Sequence, residues 1–209
     1  MKPEINTIIF DYGAVIVKID HNLTKQAFSK LGLSDIEGYF NKVKQDGLFG
    51  EFEMGKISEQ EFFDKLQKLF PENISRKDII QVWNIMILEV PKVNLDLLEQ
   101  LSEKYDLYLM SNANPTHINL IDQKLQNAYD VDGIQPYFIK AYFSFDVNMT
   151  KPDPAYFQLL IQDNELNVKT TLFIDDALPN IEAAKGLGFH TIHFTEGADN
   201  LETAVKYLI

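Results

Sequence analysis

The chain has 209 residues, 45% of them hydrophobic and 24% charged, which is enough for one sizeable core, or one core plus a small helical insert, and speaks against two independent domains or a disordered chain. It contains no cysteine, so disulfides, thiolate metal ligands and a cysteine nucleophile are all excluded. A formal net charge of −12 argues against a nucleic-acid partner, whose phosphates need a basic surface, and any anion site must be built locally.

In chain order, the first apolar run is too short and too acidic in its surroundings for a secretory signal, and no later run reaches membrane-spanning length. A cytoplasmic chain without a membrane partner is therefore expected. Residues 7–17, TIIFDYGAVIV, are β-branched and apolar on both sides of one Asp-Tyr-Gly interruption, the pattern of a buried strand ending in a tight turn. From His21 to about Glu103 only helical signals follow. Ser58-Glu59-Gln60-Glu61 and Ser75-Arg76-Lys77-Asp78 read as capping boxes, and Asn94 as the cap of a third helix.

Strand signals return at residues 105–110, 141–145, 171–175 and 190–194. Helices are predicted to start at Asn114-Pro115 and Asp153-Pro154, each a capping residue followed by proline at the first helical position. A further helix over ALPNIEAAKGLGF is closed by Gly186 and Gly188. Strand and helix alternating in this way predicts an α/β fold with a doubly wound parallel sheet. The helical stretch interrupts the first crossover, and an insert there lies over the carboxyl ends of the strands, where open sheets bind ligands.

Three acids sit at predicted strand ends: Asp11, Asp175 and Asp176. Taken singly each reads more readily as a turn former. In a doubly wound sheet, however, one crossover leaves the first strand on each side, so that the Asp11 strand lies between the Ser111 strand and the Asp175 strand. Three carboxylates then converge. Two of them about 4 Å apart repel by roughly 4 kcal/mol at an effective dielectric of about 20, which calls for a proton or a cation, and hard oxygen ligands with open positions suit Mg2+. Lys151, in TKPDP, reaches the same strand ends, although a solvated surface lysine is the commoner fate of that residue type. Ser111 and Asn112 can present a hydroxyl and main-chain N–H groups to an anion near a helix start.

The segments IIFDYGAVIV, LYLMSNAN, KPDP and TLFIDDALPNIEAAKGLGF resemble the four successive motifs of haloacid dehalogenase-like hydrolases, in order and across nearly the whole chain. Within that superfamily, DYGAV followed by VKID, with FEMGKIS further on, is similar to the branch holding α-D-glucose-1-phosphate phosphatase and the phosphatase domain of soluble epoxide hydrolase. The resemblance implies a Rossmann-like core formed by residues 1–16 and 95–209, with residues 17–94 as an inserted α-helical cap.

It further implies a Mg2+-dependent phosphatase acting on a small phosphorylated metabolite such as a sugar phosphate. Asp11 would be the nucleophile that forms an aspartyl-phosphate, with Ser111 and Lys151 as catalytic partners and Ser111, Asn112 and Lys151 holding the phosphoryl oxygens. Asp11, Asp176 and the carbonyl of Gly13 would ligate Mg2+, with Asp175 acting through a bound water. Many relatives carry a second Asp two positions after the nucleophile as general acid and base. Here that position is Gly13, which puts rate and leaving group in question.

Other residues carry plainer expectations. His190 and His193 fall on opposite faces of the last strand and are not expected to share a metal. His117 is expected to be a solvated first-turn residue, Trp83 part of the insert's core, and Glu51 and Glu53 ordinary loop residues. Three other enzyme or binding classes use similar residues. A metal-independent 2-haloacid dehalogenase shares the Asp nucleophile and also lacks the second Asp. A degenerate relative serving as a binding protein is favoured only by Gly13. A receiver-like phospho-acceptor domain has its acidic pair on the first strand, the reverse of the order here.

Overall fold

The computed structural model describes residues 4–33, 47–195, 200–206 and 208. Five parallel strands, β1 (Thr7–Phe10), β2 (Asp106–Ser111), β3 (Lys140–Phe143), β4 (Thr171–Asp175) and β5 (His190–His193), form one sheet in the order β3-β2-β1-β4-β5. This is the doubly wound α/β arrangement expected, with its switch point at β1. The strands are near-continuous apolar runs because helices cover both faces. Ile8 and Phe10 enter one core, with Leu98 and Ile121 from helices α5 (Lys92–Ser102) and α6 (Pro115–Tyr129). Ile9 enters the other, with Tyr156, Phe157 and Leu160 of α8 (Pro154–Asp163) and Ile181 and Ala184 of α9 (Leu178–Leu187).

The connections follow the capping chemistry. Asn114 and Asp153 accept from the main-chain N–H groups of His117 and Ala155, each ahead of a proline at the helix start. Residues 141–145 divide, since β3 stops at Phe143 and α7 (Ser144–Val147) begins at once. Gly188 ends α9 with φ 96, but Gly186 lies within the helix and does not close it. A last helix, α10 (Leu201–Val205), packs near α5.

Between β1 and α5 the described residues contain four helices: α1 (His21–Lys30), α2 (Leu48–Glu53), α3 (Glu59–Gln67) and α4 (Arg76–Asn84). Both predicted capping boxes are formed, at Ser58 with Glu61 and at Ser75 with Asp78. Asn94 is not a cap: α5 starts after Pro91, and the Asn94 amide donates instead to the carbonyl of Ile16 at 2.9 Å. Phe28, Phe49, Phe52, Phe62 and Trp83 fill the space between these helices, as expected for Trp83.

The chain enters and leaves this region side by side. Lys18 N donates to Glu89 O at 2.8 Å, Leu88 N to Lys18 O at 3.0 Å and Asp20 N to Met86 O at 2.9 Å, around an Ile19–Ile87 antiparallel bridge. No helix among the described residues is long and apolar enough to cross a membrane.

Candidate active site

Strand register brings the acids together. Phe10 pairs with Leu109 on one side and Ile174 on the other, so the next residue, Asp11, lies between the ends of β2 and β4. Its main-chain N–H donates to Ile174 O at 2.9 Å. Carboxylate oxygens of Asp11, Asp175 and Asp176 all lie within 4.8 Å of one another. Asp11 and Asp175 are buried, whereas Asp176 is exposed.

Lys151 enters from the loop ahead of α8 and is only 4% exposed. Its ammonium contacts Asp11 Oδ1 at 2.8 Å, Asp175 Oδ2 at 2.7 Å and Met110 O at 2.7 Å, which uses its three protons. The solvated-lysine reading is thereby set aside. Three carboxylates face one amine. Burial pushes the Asp11 carboxyl up to about 7, Lys151 pulls against that, and the charge of Asp175 adds to it. Burial, then Asp175, likewise raises Asp176. For Lys151 burial acts to lower the pKa, but Asp11 and Asp175 outweigh it and hold the ammonium charged. The pocket therefore has an excess of negative charge that a divalent cation with oxygen preference would relieve. The donor set fits Mg2+.

The two oxygens of Asp11 are not equivalent. Oδ1 accepts from Lys151 and from Tyr12 N at 2.6 Å, leaving Oδ2 as the oxygen without these contacts. Asp175 is saturated: Oδ1 accepts from Ala177 N at 2.8 Å and Asn180 Nδ2 at 2.9 Å, and Oδ2 from Lys151 and from Asn180 at 3.1 Å. Asp176 has its main chain fixed by the His193 ring, with Nε2 2.9 Å from the Asp176 carbonyl.

Ser111 ends β2 and is 2% exposed. The side chain of Asn112 is occupied elsewhere, because its amide donates to Lys151 O at 2.8 Å and accepts from Lys151 N at 2.8 Å. Only its main chain remains for an anion. Gly13 lies in the turn after Asp11, where a Cβ would stand 2.7 Å from Ile19 Cδ1. Ala14 follows with φ 58, a conformation that favours glycine.

Several supporting residues escaped the sequence reading. His117 is buried, not solvated: its ring stacks on Trp83 at 4.8 Å, with Nε2 3.2 Å from Trp83 O and Nδ1 3.0 Å from the Asn114 amide. Asn180 braces Asp175, and the Tyr156 hydroxyl lies 2.9 Å from Tyr142 O and 3.3 Å from Ser111 O, beneath the end of β2. The helix-start position of His117 was visible, but the Trp83 opposite it comes from a distant segment. His190 and His193 bond separate carbonyls, those of Lys169 and Asp176, in keeping with opposite faces.

Residues 5–188 match the haloacid dehalogenase-like hydrolase family. The chain belongs to that family. It is similar to a D-ribitol-5-phosphate phosphatase from Bacteroides thetaiotaomicron, with 36% identity over 93% of this chain and 94% of the relative. The fold superposes on the crystal structure of a haloacid dehalogenase-family enzyme from the same species in complex with magnesium and inorganic phosphate, with a TM-score of 0.83, 34% identity and coverage of 93% of this chain and 96% of the other. A haloacid dehalogenase-like family hydrolase from Porphyromonas gingivalis gives a TM-score of 0.87 at 28% identity, covering 98% of both chains. An L-2-haloacid dehalogenase shares the fold at 17% identity and a TM-score of 0.61, a likeness of fold alone.

Proposed function

We propose that the chain is a Mg2+-dependent phosphatase of small phosphorylated metabolites, of the sugar-phosphate or sugar-alcohol-phosphate class, acting in the cytoplasm through an aspartyl-phosphate at Asp11. The observation that carries this reading is the convergence of Asp11, Asp175 and Asp176 within 4.8 Å around a buried Lys151. The similarity to a D-ribitol-5-phosphate phosphatase supports the substrate class.

In this reading Asp11 Oδ2 attacks phosphorus in line with the departing oxygen, forming one P–O bond as the other breaks, while Lys151 and Tyr12 N hold Oδ1 in place. Ser111 and the Asn112 main chain take the equatorial phosphoryl oxygens, and the Lys151 ammonium offsets their charge. The departing oxygen takes its proton from solvent; water then attacks the aspartyl-phosphate, breaking the bond to Asp11, releasing inorganic phosphate and returning a proton to solvent and the carboxylate to Asp11. Asp11, Asp176 and the Gly13 carbonyl would hold the metal directly, and Asp175, whose oxygens are already engaged, would act through a bound water. Bound there, Mg2+ supplies the positive charge that lets the carboxylates ionise together and polarises the phosphoryl oxygens. Residues 17–94 act as the cap, joined to the sheet through the paired stretches at Lys18–Asp20 and Met86–Glu89. This cap sets which metabolite enters.

The test is a screen of sugar and sugar-alcohol phosphates with and without EDTA. Phosphate release that is lost with EDTA and restored by excess Mg2+ is expected, with Asp176→Asn raising the Mg2+ requirement at least about tenfold. Chelator-resistant release of halide from a 2-haloacid would contradict it.

A further inference from the structure

Ser144 stands where β3 ends, one residue beyond Phe143, the register partner of Ser111. It is 0% exposed, and its hydroxyl is shared among three main-chain groups. Ala113 N donates to Ser144 Oγ at 3.0 Å, while the Oγ lies 2.6 Å from Glu53 O and 3.1 Å from Ala113 O. A hydroxyl has one proton to give. The shorter contact assigns it to Glu53 O, at the end of α2, leaving the lone pair for Ala113 N.

One side-chain oxygen therefore continues the β2–β3 ladder past its last rung and joins it to the insert. The neighbouring chain is seated on the same spot: Asn148 Nδ2 donates to Met54 O at 2.7 Å, and Gly55, with φ 64, packs so close to the Phe145 carbonyl that a Cβ would meet it. On its other flank the same loop is fastened by the Asn112 amide to the main chain of Lys151. The Ser111–Asn112–Ala113 turn is thus gripped from both sides, by Asn112 and by Ser144.

We infer that Ser144 is a positioning residue for phosphoryl transfer: its hydroxyl holds the Ser111–Ala113 turn in its working place and ties that place to the docked insert at Glu53. The inference rests on the reading of Ser111 and the Asn112 main chain as phosphoryl-binding groups. It predicts a loss felt in turnover rather than in binding, since small displacements of positioning groups are felt mainly in the transition state.

The experiment is steady-state turnover of p-nitrophenyl phosphate at saturating Mg2+, with the fold checked by circular dichroism and thermal melting. Ser144→Ala is expected to lower kcat by about ten- to hundredfold with KM changed by less than about threefold. Asn148→Gly, which cuts the adjacent insert contact and keeps φ 56 unstrained, is expected to keep kcat within about twofold. A folded Ser144→Ala enzyme with wild-type kcat overturns the inference, as does an equal loss in Asn148→Gly, which would assign the effect to docking of the insert alone. If Ser144→Ala does not fold, Ser144→Cys carries the same test, because a thiol is a weak donor and acceptor: reduced kcat supports the assignment and wild-type kcat overturns it. Asp11→Asn run alongside separates the two levels. If it abolishes turnover while Ser144→Ala has no effect, only the positioning role falls; if it leaves turnover intact, the reading of Asp11 as the nucleophile falls.

Discussion

Gly13 lies beneath an apolar side chain. A Cβ there would lie 2.7 Å from Ile19 Cδ1, and Ile19 is held over the turn by its bridge to Ile87. The obstacle is the end of a flexible side chain, so an added residue displaces it at a cost. Gly13→Asp is expected to reduce unfolding free energy by about 1–3 kcal/mol, and by less in an Ile19→Ala background, where Cδ1 is gone. Urea titration of the four proteins of that cycle measures the coupling; equal costs in both backgrounds would acquit the contact. The absence of an acid at Gly13 was readable from residue spacing; the Ile19 side chain above it was not. Asp11 and the Asp175-Asp176 pair were readable because they end apolar runs, and Lys151 because of the KPDP segment that lies between them in the motif pattern, both local signals. Ser144 was not, since its meaning depends on the β2–β3 register and on a carbonyl 91 positions away.

Among the elements, those with short-range chemistry were the most legible. The Ser58 and Ser75 boxes and the Asn114-Pro115 and Asp153-Pro154 starts are set by residues within one helical turn. Asn94 carried the same local signal and was pulled into α5 by a carbonyl on the far side of β1, Ile16 O, a tertiary bond that overrides capping preference.

The contact of α6 with α4 shows the same limit and has a pH dependence. His117 is packed under Trp83, and burial depresses its pKa from 6.5 to about 4, with the Trp83 carbonyl pulling the other way. The folded state binds the proton less readily than the unfolded chain, so the stabilisation is complete above pH 6.5 and is lost as pH falls towards 4. The wild type is expected to lose about 3 kcal/mol more than His117→Gln over that range. Denaturant titrations at intervals between pH 7 and 4 check this, and parallel curves for the two proteins would show that His117 is not the group responsible.

At the scale of the whole molecule, the winding order β3-β2-β1-β4-β5 makes a site out of residues numbered 11, 111, 151 and 175–176. Alternating strands and helices predict the part of that order that matters, β1 between β2 and β4, because in a doubly wound sheet one crossover leaves β1 on each side. What the alternation does not encode is how the described helices between β1 and α5 sit against the sheet, which depends on contacts to the main chain at Lys18–Asp20, Glu53 and Met54 that have no composition of their own. At the ends of β1 and β4 the three acids outnumber the Lys151 amine beside them, and in the proposed reaction Asp11 uses that setting to take a phosphoryl group.

The most direct measurement is to mix the enzyme and Mg2+ with a 32P-labelled sugar phosphate, quench in acid within the first turnover and map the label by proteolysis. 32P is expected on the peptide carrying Asp11, released by hydroxylamine and absent in Asp11→Asn. Label on another residue, or turnover by Asp11→Asn at the wild-type rate, would contradict Asp11 as the nucleophile.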